Sequence, residues 1–422
     1  MDTTIQAARR VGDIRADFPL LSAHPDRVYL DSAATSQRPE AVIAAETAFV
    51  RESYAAVHRG SSVATGEATI AFESARETIA AFVGAAPNEI VWTENATDAL
   101  NIVALGISDA SLGLGAERFA LKPGDEVLIT EAEHHANLIP WQRLVARTGA
   151  TLRWVPVDEH GEWSIDALRE RVGPRTRIVA FAHVSNVTGS IAPVADVAEI
   201  ARGSGALTVL DACQSVPHRQ IDVGALGVDF AAFSSHKMLG PTGIGALWGR
   251  AELLDELPPA RTGGSTITTV TMEKSEFLPS PQRFEAGTQP VSQAVGFAAA
   301  ADYLTALGHD AIGAHEEQMT GLLVEAVDAT PGVTLVGPRP GKPRASLASF
   351  IVDGVHAHDV GQFLDDRGIT VRTGHHCAQP LHRRLGVAAT ARASAYVYTT
   401  PEDIERFRVA LSEVRGFFGA GG

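Results

Sequence analysis

Four short stretches of the sequence place reactive side chains directly after apolar runs. In Phe233-Ser234-Ser235-His236-Lys237-Met238-Leu239-Gly240-Pro241, a lysine follows strand-forming residues and precedes a turn bearing glycine and proline. A lysine held out of water gives up its proton readily and can form a Schiff base with an aldehyde. Ser234 and His236 flank it as phosphate donors. The other lysines, Lys122, Lys274 and Lys342, sit in Lys-Pro-Gly, Glu-Lys-Ser-Glu and Gly-Lys-Pro-Arg, which read as solvated turns. In Thr208-Val209-Leu210-Asp211-Ala212-Cys213-Gln214, a carboxylate closes an apolar strand, a placement that needs a cationic partner. A protonated ring nitrogen would be such a partner, and Gln214 stands close enough in sequence to bond a neighbouring hydroxyl. The adjacent histidines of Glu133-His134-His135-Ala136-Asn137 offer a flat ring for stacking or a proton shuttle, although the segment also reads as a polar loop capped by Asn137. Finally, Asn95, Ala96 and Thr97 open a helix whose amides, with the Thr97 hydroxyl, could hold an anion; the plainer reading is an ordinary cap. Carboxylate, lysine, stacking ring and phosphate donors together are the parts that a pyridoxal phosphate site needs.

The elements that must position these residues alternate along the chain. Strands are expected at Glu89–Thr93, Asp125–Thr130, Thr151–Val157, Thr176–Val184, Leu207–Asp211, Phe230–Ser234 and Gly245–Trp248. Amphipathic stretches at Ala68–Val83, Thr97–Gly106, Leu138–Arg147 and Val194–Arg202 lie between them. Strand-then-helix alternation predicts an α/β fold with a doubly wound, mostly parallel sheet. Its ligands would collect beyond the carboxyl ends of the strands. A threonine-rich stretch, Ser265–Thr271, set among prolines and glycines, reads as an extended hairpin. Helices are then expected at Gln293–Leu307, Ala311–Asp328, His358–Arg367 and Pro401–Phe417, with strands at Thr334–Val336 and Ala348–Val352. These define a second, smaller α+β domain from about residue 295.

The 422 residues suffice for two or three domains. Acidic residues exceed basic ones, 50 against 35, for a net charge of −15, which argues against a general binder of nucleic acid or anionic membranes. Cysteine occurs only as Cys213 and Cys377, too few for a disulfide scaffold or a four-thiolate metal site. Residues 1–21 carry acidic groups and no continuous apolar core, so no signal peptide is read there, and no span long enough to cross a membrane is seen. A cytoplasmic protein is the expectation.

With these residues in view, the chain resembles the pyridoxal-phosphate enzymes of the class V aminotransferase group, and within it the SufS-like cysteine desulfurases. The most specific pieces are Val57-His58-Arg59-Gly60, Glu133-His134-His135-Ala136-Asn137, His183-Val184-Ser185-Asn186, Ser234-Ser235-His236-Lys237, Phe284-Glu285-Ala286-Gly287-Thr288 and Arg372-Thr373-Gly374-His375-His376-Cys377-Ala378. The resemblance implies Lys237 as the cofactor-binding lysine, Asp211 as partner of the ring nitrogen, Gln214 facing the ring hydroxyl and His134 stacked on the ring. It implies Ala96, Thr97, Ser234 and His236 around the phosphate, joined by Thr288 from the second subunit of a homodimer. Asn186 and Arg392 match residues that hold the carboxylate of an L-cysteine substrate, with Arg372 close by, and Cys377 matches the catalytic cysteine. The Arg-x-Gly-His-His-Cys-Ala form resembles the SufS branch, whose members work with a sulfur acceptor of SufE or SufU type in iron-sulfur cluster assembly. His356-x-His358-Asp359 would meet a zinc-bearing SufU-type partner, or is simply a capped helix start. The implied division is an N-terminal segment, residues 1–25, packing on the small domain; a cofactor-binding large domain, 26–294; and a small domain with the catalytic cysteine, 295–422. Two departures stand out: Ala212-Cys213 replaces the family's more frequent Gly-Ala, and the loop Ser108–Ala120 reads as longer than usual.

Other readings compete. His375, His376 and Cys377, with His356 and His358, could be a zinc cluster, although adjacent residues rarely all reach one tetrahedral ion. A non-catalytic scaffold would be expected to lack Lys237 or Cys377. Another reaction on the same fold is a further alternative. The cysteine in its His-His-Cys setting favours sulfur removal over aminotransfer or racemisation, but a selenocysteine lyase presents its chalcogen to the same nucleophile and is not separated by sequence.

Overall fold

The apolar runs become strands because neither of their faces needs water. The computed structural model describes residues 13–420 and joins seven of these runs in one sheet. They are β1 (Ile90–Thr93), β2 (Glu126–Thr130), β3 (Thr151–Val155), β4 (Thr176–Ala182), β5 (Leu207–Asp211), β6 (Phe230–Ser234) and β7 (Gly245–Gly249). Their spatial order is β1-β7-β6-β5-β4-β2-β3. All neighbours are parallel except those of β7, which runs antiparallel to both β1 and β6. Strands β1, β2, β6 and β7 are buried at every residue, whereas edge strand β3 is partly wet.

Helices cover both faces, as the doubly wound expectation requires. Val63–Phe82, Val194–Ser204 and Val291–Leu307 bury Phe72, Ile79, Val197 and Phe297 against one face. Ala96–Ser111 and Ile139–Thr148 bury Val103, Ile107 and Trp141 against the other. Two features differ from expectation. Helix Glu40–Glu52, without a strong apolar stripe, was not foreseen. The supposed long loop from Ser108 is helical as far as Ser111 and makes a further turn at Glu117–Phe119, because the apolar face of helix Ala96–Ser111 extends through Ile107 and Ala110. The threonine-rich stretch does form a hairpin, Ile267–Val270 paired antiparallel with Ser275–Phe277.

The smaller domain is a four-stranded antiparallel sheet in the order Val333–Val336, Leu347–Val352, Thr390–Ser394, Arg372–Gly374. Helices His309–Asp328, Ala357–Asp365 and Pro401–Phe417 cover it. Helix Val291–Leu307 runs through position 295 and belongs to the large-sheet core, and Gly308, at φ +84°, separates it from His309–Asp328. The chain start is tied to its end. Val28–Tyr29 pairs in parallel with Ile369–Thr370, and Arg15 meets Asp403 at 2.9 Å. Phe18 packs edge-on against both Tyr303 and Tyr398. Of the expected N-terminal segment, residues 1–12 lie outside the described part. Among the described residues no helix is long and apolar enough to cross a membrane.

Candidate active site

The strand ends meet a loop of the smaller domain around a cavity of ≈ 530 Å³. Ala96, Thr97, His134, Asn186, Asp211, Gln214, Ser234, His236, Lys237, Arg372, Cys377 and Arg392 all line it. Side chains separated by up to 296 positions thus share one space. Thr288 does not line the cavity. It is exposed on the loop that follows buried Glu285.

Local structure explains the orientation of several groups. Asn95 caps helix Ala96–Ser111 by accepting from the Asp98 amide, so the first-turn amides face the cavity end of the helix. Ser234 Oγ accepts from the Ala96 amide at 2.9 Å and lies within reach of the Cys213 thiol, which sets the hydroxyl at the cavity wall beside the helix start. Asp211 accepts from the Cys213 amide through Oδ1 and is bonded by the Cys213 thiol as well, which fixes the carboxylate at the cavity edge where a cation can meet it. Gln214 Nε2 donates to the Ala33 carbonyl at 2.8 Å, leaving its amide oxygen to receive a hydroxyl. Burial and the nearby Lys237 lower the pKa of His134 and of His236 to about 4, so both rings are neutral at physiological pH. This donor set fits pyridoxal phosphate: a cation acceptor at one end, phosphate donors at the other and a neutral ring for stacking between them.

Cys213 also lines the cavity, yet it is buried, and desolvation with the adjacent Asp211 pushes its thiol pKa well up. Cys377 is exposed. It and His376 adopt left-handed backbone, at φ +56° and +47°, a strained choice for residues with a Cβ. The loop is held from several sides. Asn186 Nδ2 donates to the His376 carbonyl at 2.7 Å, the His135 amide donates to the Cys377 carbonyl at 2.7 Å, and His376 Nε2 meets Thr390 Oγ1 at 2.8 Å.

Sequence reasoning assigned no role to Asp31. It follows the first apolar strand, is buried, and holds Arg372 at 2.7 Å and Arg392 at 3.6 Å. Arg372 and Arg392 are direct cross-strand partners, so the sheet register itself brings both guanidiniums to one carboxylate. Burial raises the Asp31 pKa while the two arginines oppose the rise. Arg392 is 2% exposed and its Nε has no partner, a donor direction open to a substrate carboxylate. Glu133 was also missed as a structural group. Burial raises its pKa to about 8, and Thr130, Asn137 and the Ala182 amide satisfy its oxygens. No local signal separates Glu133 from its neighbour Glu131, and none names the arginine partners of Asp31.

The histidines of the zinc reading are turned to other partners. His376 bonds Thr390, His375 packs edge-on against His382, and His356 stacks on His358. Among the described residues no group of three or more His, Cys, Asp or Glu is gathered to hold a metal ion.

Comparison with known proteins agrees with this geometry. Residues 28–407 match the Aminotransferase class-V family model. The chain belongs to that family. "Probable cysteine desulfurase 2" of Mycobacterium leprae is 53% identical over 410 residues, covering 96% of this chain and 97% of the relative. The apo structure of a cysteine desulfurase from Thermococcus onnurineus superposes with a TM-score of 0.90 at 38% identity, covering 97% and 99% of the two chains. A further structural neighbour, a C-DES mutant solved with glycine covalently linked to its PLP cofactor, gives a TM-score of 0.80 at 25% identity over 94% and 99%.

Proposed function

We propose that this class-V chain is a pyridoxal-phosphate-dependent cysteine desulfurase that converts L-cysteine to L-alanine and retains the sulfur as a persulfide on Cys377. The observation that carries the reading is the sharing of one cavity by Lys237, Asp211 and an exposed cysteine on a separate domain. Asp211 would pair with the ring nitrogen, His134 would stack, and Ala96, Thr97, Ser234 and His236 would hold the phosphate. When bound, the cofactor supplies a cationic conjugated ring that draws electrons from the substrate α-carbon. Asn186 and Arg392, with Arg372 beside them, orient the substrate carboxylate. Lys237 Nζ takes and returns the α-proton. The Cys377 thiolate attacks the substrate sulfur, forming an S–S bond as the carbon–sulfur bond breaks. The electron pair of that bond stays with carbon, which is protonated and leaves as alanine.

A homodimer completes the site by bringing Thr288 to the phosphate of the other subunit. In its support, large apolar side chains stand exposed on helix Val63–Phe82 and at the tip of the threonine-rich hairpin: Val63 at 78%, Ile70 at 69% and Met272 at 98%. We assign the chain to the SufS branch from its Arg-x-Gly-His-His-Cys-Ala segment, with a SufE- or SufU-type acceptor taking the sulfur toward iron-sulfur cluster assembly. His356 and His358, both exposed, would lie on the acceptor's docking side. The division into residues 26–294 and 295–422 is part of the same proposal, although core packing passes from the large sheet to the smaller one later, within helix His309–Asp328 between Ile312 and Met319.

The test is turnover of L-cysteine followed by mass spectrometry of the Cys377 peptide. Cys377→Ala is expected to keep the visible absorbance of bound cofactor and to lose alanine production; wild-type turnover by that variant would remove the assignment.

A further inference from the structure

His135 lies next to the stacking histidine but does not line the cavity. It reaches across instead to the cysteine loop. Its backbone N–H donates to the Cys377 carbonyl at 2.7 Å, and its ring Nε2 accepts from the Gln379 backbone N–H at 3.2 Å. Gln379 opens helix Gln379–Arg384, and the first amides of a helix have no partner within it. The ring of His135 therefore satisfies an amide that the helix cannot.

The consequence falls on Cys377. The peptide group before it is held by Asn186 through the His376 carbonyl, and the peptide group after it by the His135 main-chain N–H. The next turn is held by the His135 ring through the Gln379 amide, the one contact of the three that a substitution at His135 removes. Clamped on both sides, Cys377 stays at φ +56°, a conformation that a Cβ-bearing residue would otherwise leave. Accepting from an amide requires a neutral ring with its proton on Nδ1. Burial and the facing His375 lower the His135 pKa, in keeping with that form.

We propose that His135 is a positioning residue for the Cys377 thiol, working through the loop backbone and separately from the role of His134 at the cofactor. The proposal rests on the reading of Cys377 as nucleophile. It divides two neighbouring histidines between the two halves of the reaction.

The test compares holoenzyme of wild type, His135→Ala and His135→Gln. Glutamine can bring an amide oxygen near the position of Nε2 and accept the same N–H. Three quantities are read: kcat and KM for L-cysteine, the rate of Cys377 alkylation by iodoacetamide followed on its peptide, and the visible absorbance of bound cofactor. His135→Ala should lower kcat about tenfold with little change in KM, since misplacing a reacting group acts mainly on the chemical step. It should also raise the Cys377 alkylation rate several-fold and leave the cofactor absorbance unchanged. His135→Gln should restore both rates toward wild type. Equal alkylation and kcat in His135→Ala and wild type would overturn the proposal. A His135→Gln variant as impaired as His135→Ala, or an altered cofactor spectrum in either, would also overturn it. The alkylation arm reports on the loop whether or not Cys377 carries sulfur. Failure of the nucleophile assignment would show separately, as turnover by Cys377→Ala.

Discussion

A single buried carboxylate organises the cationic side of the site. Asp31 holds Arg372 and Arg392, and the guanidinium of Arg392 is fixed further by the Asn186 carbonyl at 2.7 Å. Desolvation lowers the Arg392 pKa to about 10 despite Asp31, which still leaves it charged at physiological pH. A planar fork held in this way suits a substrate carboxylate better than a point charge does. Arg392→Lys is accordingly expected to raise KM for L-cysteine about tenfold, the scale of one charged hydrogen bond, with cofactor absorbance retained. An unchanged KM would remove Arg392 from substrate binding. Lys237, Asp211 and Cys377 were legible as candidates because lysine and cysteine are scarce and because a carboxylate ending an apolar strand demands a partner. Asp31 and His135 were not legible. Their partners lie 341 and 244 positions away, and no local pattern announces such a contact.

Among the elements, helix Val63–Phe82 is tied to the loop of Thr288 by charge as well as by packing. Arg76 is 1% exposed, and its guanidinium meets Glu285 at 2.6 Å and Glu73 at 2.8 Å between the rings of Phe72 and Trp92. Glu285 in turn accepts from the Trp92 amide, joining helix, strand β1 and loop. Arg76→Ala leaves Glu285 buried without its cation and should cost about 3–5 kcal/mol, read as a lower midpoint of urea unfolding. A midpoint equal to wild type would mean that the triad contributes nothing. The strands themselves were readable because buried parallel strands are apolar without alternation, and β5 and β6 match their expected bounds at both ends. The direction of β7 was not readable, since a run of small and apolar residues carries no mark of its polarity in the sheet. Helix Glu40–Glu52 was missed for a related reason: only Val42 and Phe49 are buried, so its apolar stripe is thin.

Across the whole molecule, buried histidines set the response to acid. Burial lowers the pKa of His134, His183 and His236 to about 4 and of His376 to about 2, with Lys237, Arg219 or Arg392 adding to the effect. In the unfolded chain each would titrate near 6.5. As pH falls below that value the unfolded chain takes up protons first. The stability these groups contribute is therefore complete above about pH 6.5 and is lost on the way to pH 4. Glu133 acts in the opposite sense, its contribution lost as pH rises from the ordinary carboxylate range to about 8, and burial raises Asp31, Glu46, Asp98 and Asp403 in the same direction. Burial also lowers His135, His309, His315 and His382, so the histidines outweigh the carboxylates between pH 5 and 7. The urea midpoint at pH 5 should thus fall below that at pH 7, and equal midpoints would contradict the assignment. The pairing of Val28–Tyr29 with Ile369–Thr370 has a consequence for biosynthesis. Val28 and Leu30 belong to the core of the smaller domain, so a segment that leaves the ribosome early completes a unit translated last. At about 5–20 residues per second, roughly 20–70 s of translation separate the two partners. Throughout that interval an apolar strand waits without its neighbour, and nascent-chain chaperones have a long opportunity to hold it.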